Sequence, residues 1–222
     1  MTPIKNQPVI TSDGSSTFFS TRSKEHYHST FGAIAESKHI FIEAGLKPFL
    51  GQPSISIFEV GFGTGLNALL TLQTAEEMLV SIQYSAIELY PISLEEAKTL
   101  NYPEMLKMEA SLFLKMHTLP QMSKSISPMF YLDRQQISFE TVNLNHNQFD
   151  VVYFDAFSPE VQPEMWTVTG FQKLFDALKP GGVLVTYSCK GTVKRALKSV
   201  GFQIEKLPGP LGKREILRAW KP

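Results

Sequence analysis

From Pro53 onward, apolar positions along the chain switch repeatedly between a strand period and a helix period. SISIFEV (54–60) reads as a strand, and TGLNALLTLQTAEEM (64–78) as a helix. VSIQYSAIE (80–88) reads as a second strand. PISLEEAKTL (91–100) reads as a second helix with Pro91 in its first turn. FDVVYFDAF (149–157) is nearly continuously apolar, as a central parallel strand covered on both faces should be. PEMWTVTGFQKLFDALKPGG reads as a helix closed by Pro-Gly-Gly, GGVLVTYS as a strand, and Thr192 to Val200 as a helix. GFQIEKL and REILRAW are expected to close the sheet as an antiparallel pair. QISFETVN (136–143) is expected to be a strand, and Tyr102 to Gln135 short helices or long loops. The alternation predicts a doubly wound α/β fold: a mainly parallel sheet with an antiparallel C-terminal edge strand.

The N-terminal fifth follows another pattern. PVITSDGSSTFFS places turn residues Ser12-Asp13-Gly14 between β-prone runs and predicts a hairpin. GAIAESKHIFIEAGL carries a helical apolar pattern with Gly45 near its end. The expected organisation is a small appendage over 1–50 and one globular unit over 51–222.

In a doubly wound sheet, ligands bind outside the carboxyl ends of the strands. That rule brings FEVGFGTGLN, Glu88 and Asp155 to one rim. Gly61, Gly63 and Gly65 allow a tight turn and a close backbone approach. The helix that follows turns free N–H groups toward the same space. The motif is E-x-G-x-G-x-G and not the dinucleotide form G-x-G-x-x-G. Glu59 would repel a phosphate and attract an ammonium, which suits S-adenosylmethionine. Glu88, about two dozen residues past the glycines, is a ribose-hydroxyl acceptor or, in the plainer reading, a helix-start acid before Pro91.

Asp155 opens D-x-F-S-P, which joins a carboxylate, an aromatic ring and the proline-stiffened turn at Pro159. A carboxylate there can bind and orient a protonated alkylamine in line with a sulfonium methyl. An ordinary aspartate, with a pKa of about 3.9, is a weak base, so orientation is the expected role. The competing reading is a strand-end helix cap. Phe157 and Trp166 offer flat faces to a base, or fill the core, and for Trp166 core packing is the favoured reading.

TSDGSSTFFS, HYHSTFGAIAESKHIFIEAG, FEVGFGTGLN, YFDAFSPEVQPEMW and GPLGKREILRA together resemble the tRNA 5-aminomethyl-2-thiouridine methyltransferase family over nearly the whole chain. The resemblance implies a class I, Rossmann-like methyltransferase that uses S-adenosylmethionine. It would convert 5-aminomethyl-2-thiouridine to 5-methylaminomethyl-2-thiouridine at the tRNA wobble position. Carried over by motif, Glu59, Gly61, Gly63, Gly65, Asn67, Glu88 and Asp155 line the cofactor site, with Asp155 catalytic. Glu36, with Ser37, closes the pocket. Phe157, Pro159, Trp166, Lys213 and Arg214, with Gly212, lie at the substrate. The family's flavin-dependent half is not in these 222 residues, so no FAD is expected here and the substrate should already carry its aminomethyl group. For the adenine contact, Glu140 falls within the expected strand and Asn143 is the better-placed polar group.

Composition narrows the partners. Basic and acidic residues balance at 21 each, but Lys179 to Pro222 hold ten Lys/Arg against two acids. That stretch carries +8 and leaves −8 on the first 178 residues. Such a tail suits the phosphates of a tRNA anticodon loop, or is a solvated surface. The single cysteine, Cys189, excludes an internal disulfide and a multi-cysteine metal site. His26, His28, His39, His117 and His146 lack ligand spacing, a surface place is favoured for His26 and His28, and no metal is expected. No apolar run spans a bilayer and the N-terminus lacks a signal peptide's apolar region, so a cytoplasmic protein is expected. A small-amine methyltransferase, an aminopropyl transferase resembling the polyamine synthases, and a non-catalytic α/β binding module are the competing functions.

Overall fold

The computed structural model describes residues 6–118 and 122–222, so residues 1–5 of the expected appendage lie outside the described residues. β1 (Gln7–Ile10) and β2 (Ser16–Ser20) form the expected antiparallel hairpin, and β3 (Glu25–His26) adds a third strand. The hairpin turn also starts a helix. Ser15 Oγ accepts the Ala33 N–H at 3.1 Å and Asp13 Oδ2 accepts the Ala35 N–H at 3.0 Å. These bonds satisfy N–H groups that a helix start leaves free. α1 (Ala33–Ser37) then continues as a π-helix over Lys38–Leu46. Gly45 stands near the end of this helix, as expected, and is buried against the sheet. A Cβ there would lie 2.9 Å from Val185 and 3.2 Å from Tyr153, so glycine lets the π-helix press onto the sheet.

The main sheet is built from β4 (Ser54–Val60), β5 (Ser81–Ile87), β6 (Met122–Ser127), β7 (Phe130–Gln135), β8 (Phe149–Phe154), β9 (Leu178–Thr186), β10 (Gln203–Pro208) and β11 (Glu215–Trp220). Its order is β10-β11-β9-β8-β4-β5-β7-β6. The strands from β9 to β7 run parallel, β11 and β10 close one edge antiparallel as expected, and β6 adds an antiparallel strand at the other edge. Period-2 alternation sorts the side chains. Ile55, Ile57, Val151, Tyr153, Val183 and Val185 meet the π-helix and α2 (Leu66–Met78) on one face. Phe58, Val60, Val152, Phe154 and Leu184 meet α6 (Val168–Ala177) and α7 (Gly191–Ser199) on the other. The first face also includes Phe18, Ala33 and Phe41, so the N-terminal segment shares the core of the sheet.

Some boundaries differ from expectation. QISFETVN is a loop, and the strand is the preceding FYLDRQ of β7, whose inward residues Phe130, Leu132 and Arg134 alternate with outward ones. A Ser138–Thr141 turn, with the Thr141 N–H on Ser138 Oγ, halts any extension. The second helix is only α3 (Leu94–Ala97). Pro91 precedes it, and Ser93 with Glu96 forms its capping box. The middle holds short helices α4 (Tyr102–Leu106) and α5 (Ala110–His117), then the β6–β7 hairpin. α6 starts at the Thr167 cap, and Lys179-Pro180-Gly181-Gly182 lies within β9, not at a helix end. Among the described residues, no helix is long and apolar enough to cross a membrane.

Candidate active site

β4 and β8 are neighbours at the centre of the sheet, but the chain leaves them in opposite directions, through α2 to β5 and through α6 to β9. This reversal opens a crevice beyond their carboxyl ends. The Asp155 N–H donates to Val60 O at 3.0 Å, which draws the two strand ends together. Gly61, at φ +88°, lies so close that a Cβ would be 2.6 Å from the Asp155 carbonyl oxygen. Gly63 turns the chain onward beneath Tyr27, where a Cβ would be 3.1 Å from the ring. Gly65 serves as the left-handed N-cap residue of α2, with Phe62 and His117 packed where its side chain would be.

The crevice opens into a cavity of about 1460 Å³. Asn67, on the first turn of α2, holds its centre. Its amide Nδ2 donates to Asp155 Oδ2 at 2.8 Å and to Glu59 Oε1 at 2.9 Å, so one NH2 group bridges two carboxyls. Glu59 is fully buried. Desolvation pushes its carboxyl well above the usual range, against the Asn67 hydrogen bond and with the help of nearby Asp155. Glu59 lies behind the cavity wall and not in its lining, and burial disfavours its charged form. Asp155 faces the cavity, and its pKa is pushed up to about 7. Burial is the main cause and Glu36 adds to it, whereas the Asn67 hydrogen bond and Lys213 oppose it. This is not the ordinary aspartate assumed from the sequence: near pH 7 it can exchange a proton.

Glu88 receives the Gly63 N–H on Oε2 at 2.9 Å and the Tyr90 N–H on Oε1 at 2.8 Å. It pins the glycine turn, each oxygen keeps a second lone pair, and the residue lines the cavity. Beyond Asp155, Glu36 Oε1 meets Lys213 Nζ at 3.2 Å, and Glu36 Oε2 accepts the Ser29 N–H at 2.7 Å. Lys213 Nζ also lies 4.8 Å from the Tyr187 ring centre, and the Tyr187 hydroxyl donates to Ala156 O at 2.9 Å.

Gly61, Gly63, Asn67, Glu88, Asp155, Glu36, Phe157, Gly212 and Lys213 thus line one cavity. Glu59, Gly65, Ser37, Pro159, Trp166 and Arg214 stand outside its lining. Trp166 is a core residue, edge-on to Phe154 at 4.8 Å, and its indole N–H donates to Phe157 O at 2.8 Å. It supports the acceptor loop from behind. Arg214 is exposed, since the turn that points Lys213 inward directs its successor out. Asn143 is exposed outside the lining, whereas Gln136 to Glu140 line the cavity where the loop replaces the expected strand.

Sequence reasoning missed the contribution of β3 and its continuation. Glu25 accepts both the N–H and the hydroxyl of Ser158, and Tyr27 packs edge-on against Phe157 at 5.1 Å. His28 also lines the cavity, bonded to Thr17 at 2.8 Å, with burial pushing its pKa down to about 4. It is a neutral inner residue and not a surface one. The aromatic density of HYHSTF was the available signal. Tyr187 could have been found from its place just past β9, on the rim that the switch-point rule already selects.

Whether this site fits S-adenosylmethionine can be tested on its polar atoms. Asn67 Oδ1 is buried and without a hydrogen-bond partner among the described residues, and Asn67 lines the cavity. Together with the carboxylates of Asp155 and Glu88, it makes an acceptor-rich surface suited to a ligand with ammonium, sulfonium and hydroxyl groups. The residues present fit the cofactor. Among the described residues, no group of three or more His, Cys, Asp or Glu is arranged to hold a metal ion.

This fold and site define an S-adenosyl-L-methionine-dependent methyltransferase, and the model of a family of that description matches residues 113–222 of the chain. Its relatives are more particular. The chain is 29% identical over 226 residues to the tRNA 5-methylaminomethyl-2-thiouridine biosynthesis bifunctional protein MnmC of Cupriavidus metallidurans, a match that covers 95% of this chain and 33% of that protein. It is 28% identical over 220 residues to MnmC of Actinobacillus pleuropneumoniae, covering 88% of this chain and 32% of that one. The chain therefore spans about a third of the length of these relatives. Among solved structures, MNMC2 from Aquifex aeolicus matches with a TM-score of 0.83 at 23% identity, over 100% of this chain and 71% of that one. Spermidine synthase from Thermotoga maritima matches at 0.58 and 16%, over 99% and 72%. At these identities the structural likeness is one of fold.

Proposed function

We propose that this chain transfers a methyl group from S-adenosylmethionine to the exocyclic amine of 5-aminomethyl-2-thiouridine at the wobble position of tRNA, giving 5-methylaminomethyl-2-thiouridine. The observation that carries this reading is Asp155 at the switch point, its pKa raised to about 7 and its side chain bridged by Asn67 to buried Glu59. The names of the MnmC relatives supply the substrate. The cavity, about 1460 Å³, exceeds the roughly 300–1,000 Å³ of an ordinary small-ligand site and so has room for a cofactor and a nucleobase together.

Gly61, Gly63, Asn67 and Glu88 hold the cofactor, Glu88 through its free lone pairs. When bound, S-adenosylmethionine supplies an electrophilic methyl group on a sulfonium and departs as a thioether. Asp155 accepts a hydrogen bond from the substrate amine and takes the proton that an alkylammonium must lose before its nitrogen has a lone pair. Its raised pKa suits that exchange near neutrality. Glu36 and Lys213 close the far side as an ion pair, which keeps a second carboxylate near the amine without leaving it uncompensated. Phe157 and Tyr27 make the acceptor wall apolar, so water is excluded beside the amine. The exposed cations Arg195, Lys198 and Arg214 are left to meet tRNA phosphates, since Lys190, Lys206 and Arg218 already pair with Glu160, Glu215 and Glu205.

The test is nucleoside analysis of tRNA that carries the aminomethyl base, incubated with the purified chain and S-adenosylmethionine. Conversion to the methylaminomethyl nucleoside is expected, with tRNA affinity falling steeply as salt rises. An unchanged nucleoside profile would overturn the proposal.

A further inference from the structure

At the mouth of the acceptor side, a large aromatic ring is left open. Phe31 lines the cavity yet is 51% exposed, and Leu211, across from it in the chain, is 75% exposed. The backbone that carries the ring is hydrogen-bonded on both sides. The Phe31 N–H donates to Ser29 Oγ at 3.2 Å, and both the N–H and hydroxyl of Ser12 bond Thr30 O. On the other side is the turn from Gly209 to Lys213, closed by the Lys213 N–H on Pro210 O at 2.9 Å and the Gly209 N–H on Arg214 O at 3.1 Å. Gly212, at φ +85°, lies directly against the ring. A Cβ there would come 2.3 Å from Phe31 Cδ2. Two hydrogen-bonded turns therefore flank one side of an aromatic ring whose remainder is open.

The residue after Gly212 is Lys213, which points inward to Glu36, and the next is exposed Arg214. An apolar ring placed between an inner cation and an outer one matches a nucleobase flanked by phosphates, because single-stranded nucleic acid is gripped by stacking on aromatics inside a positive groove. A ring this exposed belongs to the mouth. The depth of the acceptor side is already furnished by Tyr27, Phe157 and Tyr187. We propose that Phe31 is the stacking platform for a base flanking the one delivered to Asp155, and so a binding residue for single-stranded RNA. The proposal rests on the tRNA reading above and adds the residue that reads the loop by stacking.

The experiment uses the full chain and an RNA stem-loop bearing 5-aminomethyluridine in its loop, with 2-aminopurine as the flanking base. Phe31→Ala should raise KM for the stem-loop about tenfold. It should leave kcat and S-adenosylmethionine affinity unchanged and abolish the change in 2-aminopurine fluorescence on binding. Phe31→Trp should restore both. The slope of affinity against salt should stay that of the parent, since stacking releases no counterions. Parent-like KM and fluorescence in Phe31→Ala would overturn the proposal, as would a changed salt slope, which would mean that the phosphate contacts had moved instead. A parent protein that methylates no stem-loop would instead count against the proposed function itself, so the two failures are distinguishable.

Discussion

The two halves of the cavity are built in different ways. The cofactor side is local: Gly61, Gly63 and Asn67 come from one ten-residue stretch, and Glu88 follows on the adjacent strand β5. Its geometry is set by backbone conformation, with positive φ at each glycine and a Glu88 carboxylate receiving two N–H groups. The acceptor side is assembled from residues 25–36, 155–158 and 212–213, tied by Glu25 to Ser158 and by Glu36 to Lys213. A methyltransferase can therefore keep the first half and change its substrate by changing the second. In this chain the N-terminal segment is the part that makes the acceptor half.

That division can be broken by mutation. The largest effect is expected from Asp155→Ala. Turnover should fall by about 10²–10⁴-fold, while calorimetry finds S-adenosylmethionine affinity within about threefold of the parent. A large loss of cofactor affinity would mean that the halves are not separable. Glu88→Ala should do the reverse, weakening cofactor binding by about tenfold or more because two charge-assisted hydrogen bonds to the turn are lost. At saturating cofactor its turnover should remain close to that of the parent. Equal damage to turnover would place Glu88 in the chemistry and blur the comparison.

Asn67 sits on the boundary, and its expected effect is the smallest and sharpest. The active form of Asp155 is the carboxylate, so activity should fall as pH drops through about 7. The Asn67 amide favours that charged form by donating to it. In Asn67→Ala the acid limb of the kcat profile should move to higher pH. An unmoved limb would mean that another group controls it.

The central sheet was legible in the chain because its signals are local. FDVVYF is apolar at every position and becomes β8, buried throughout. The glycine turn was legible for the same reason, since positive φ demands glycine within the segment itself. QISFETVN misled because its alternation resembles the pattern in FYLDRQ, and only pairing with β5 selects between neighbours of similar strand propensity. Trp166 and Phe157 share a motif, yet one fills the core and the other faces the cavity.

The amino-acid order alone determined a doubly wound sheet, a glycine turn before α2 and a carboxylate at the end of β8, since each depends on backbone preference or period within a few residues. Tertiary structure decided how far each carboxyl departs from its ordinary acidity. Glu59 and Asp155 are both acids at strand ends, but burial pushes the first well above the carboxylate range behind the cavity wall, whereas burial, the shared amide and the distant Glu36 and Lys213 make the second a base poised near neutrality. Ionisation depends on solvent exclusion and neighbouring charge, and both come from segments far apart in the chain.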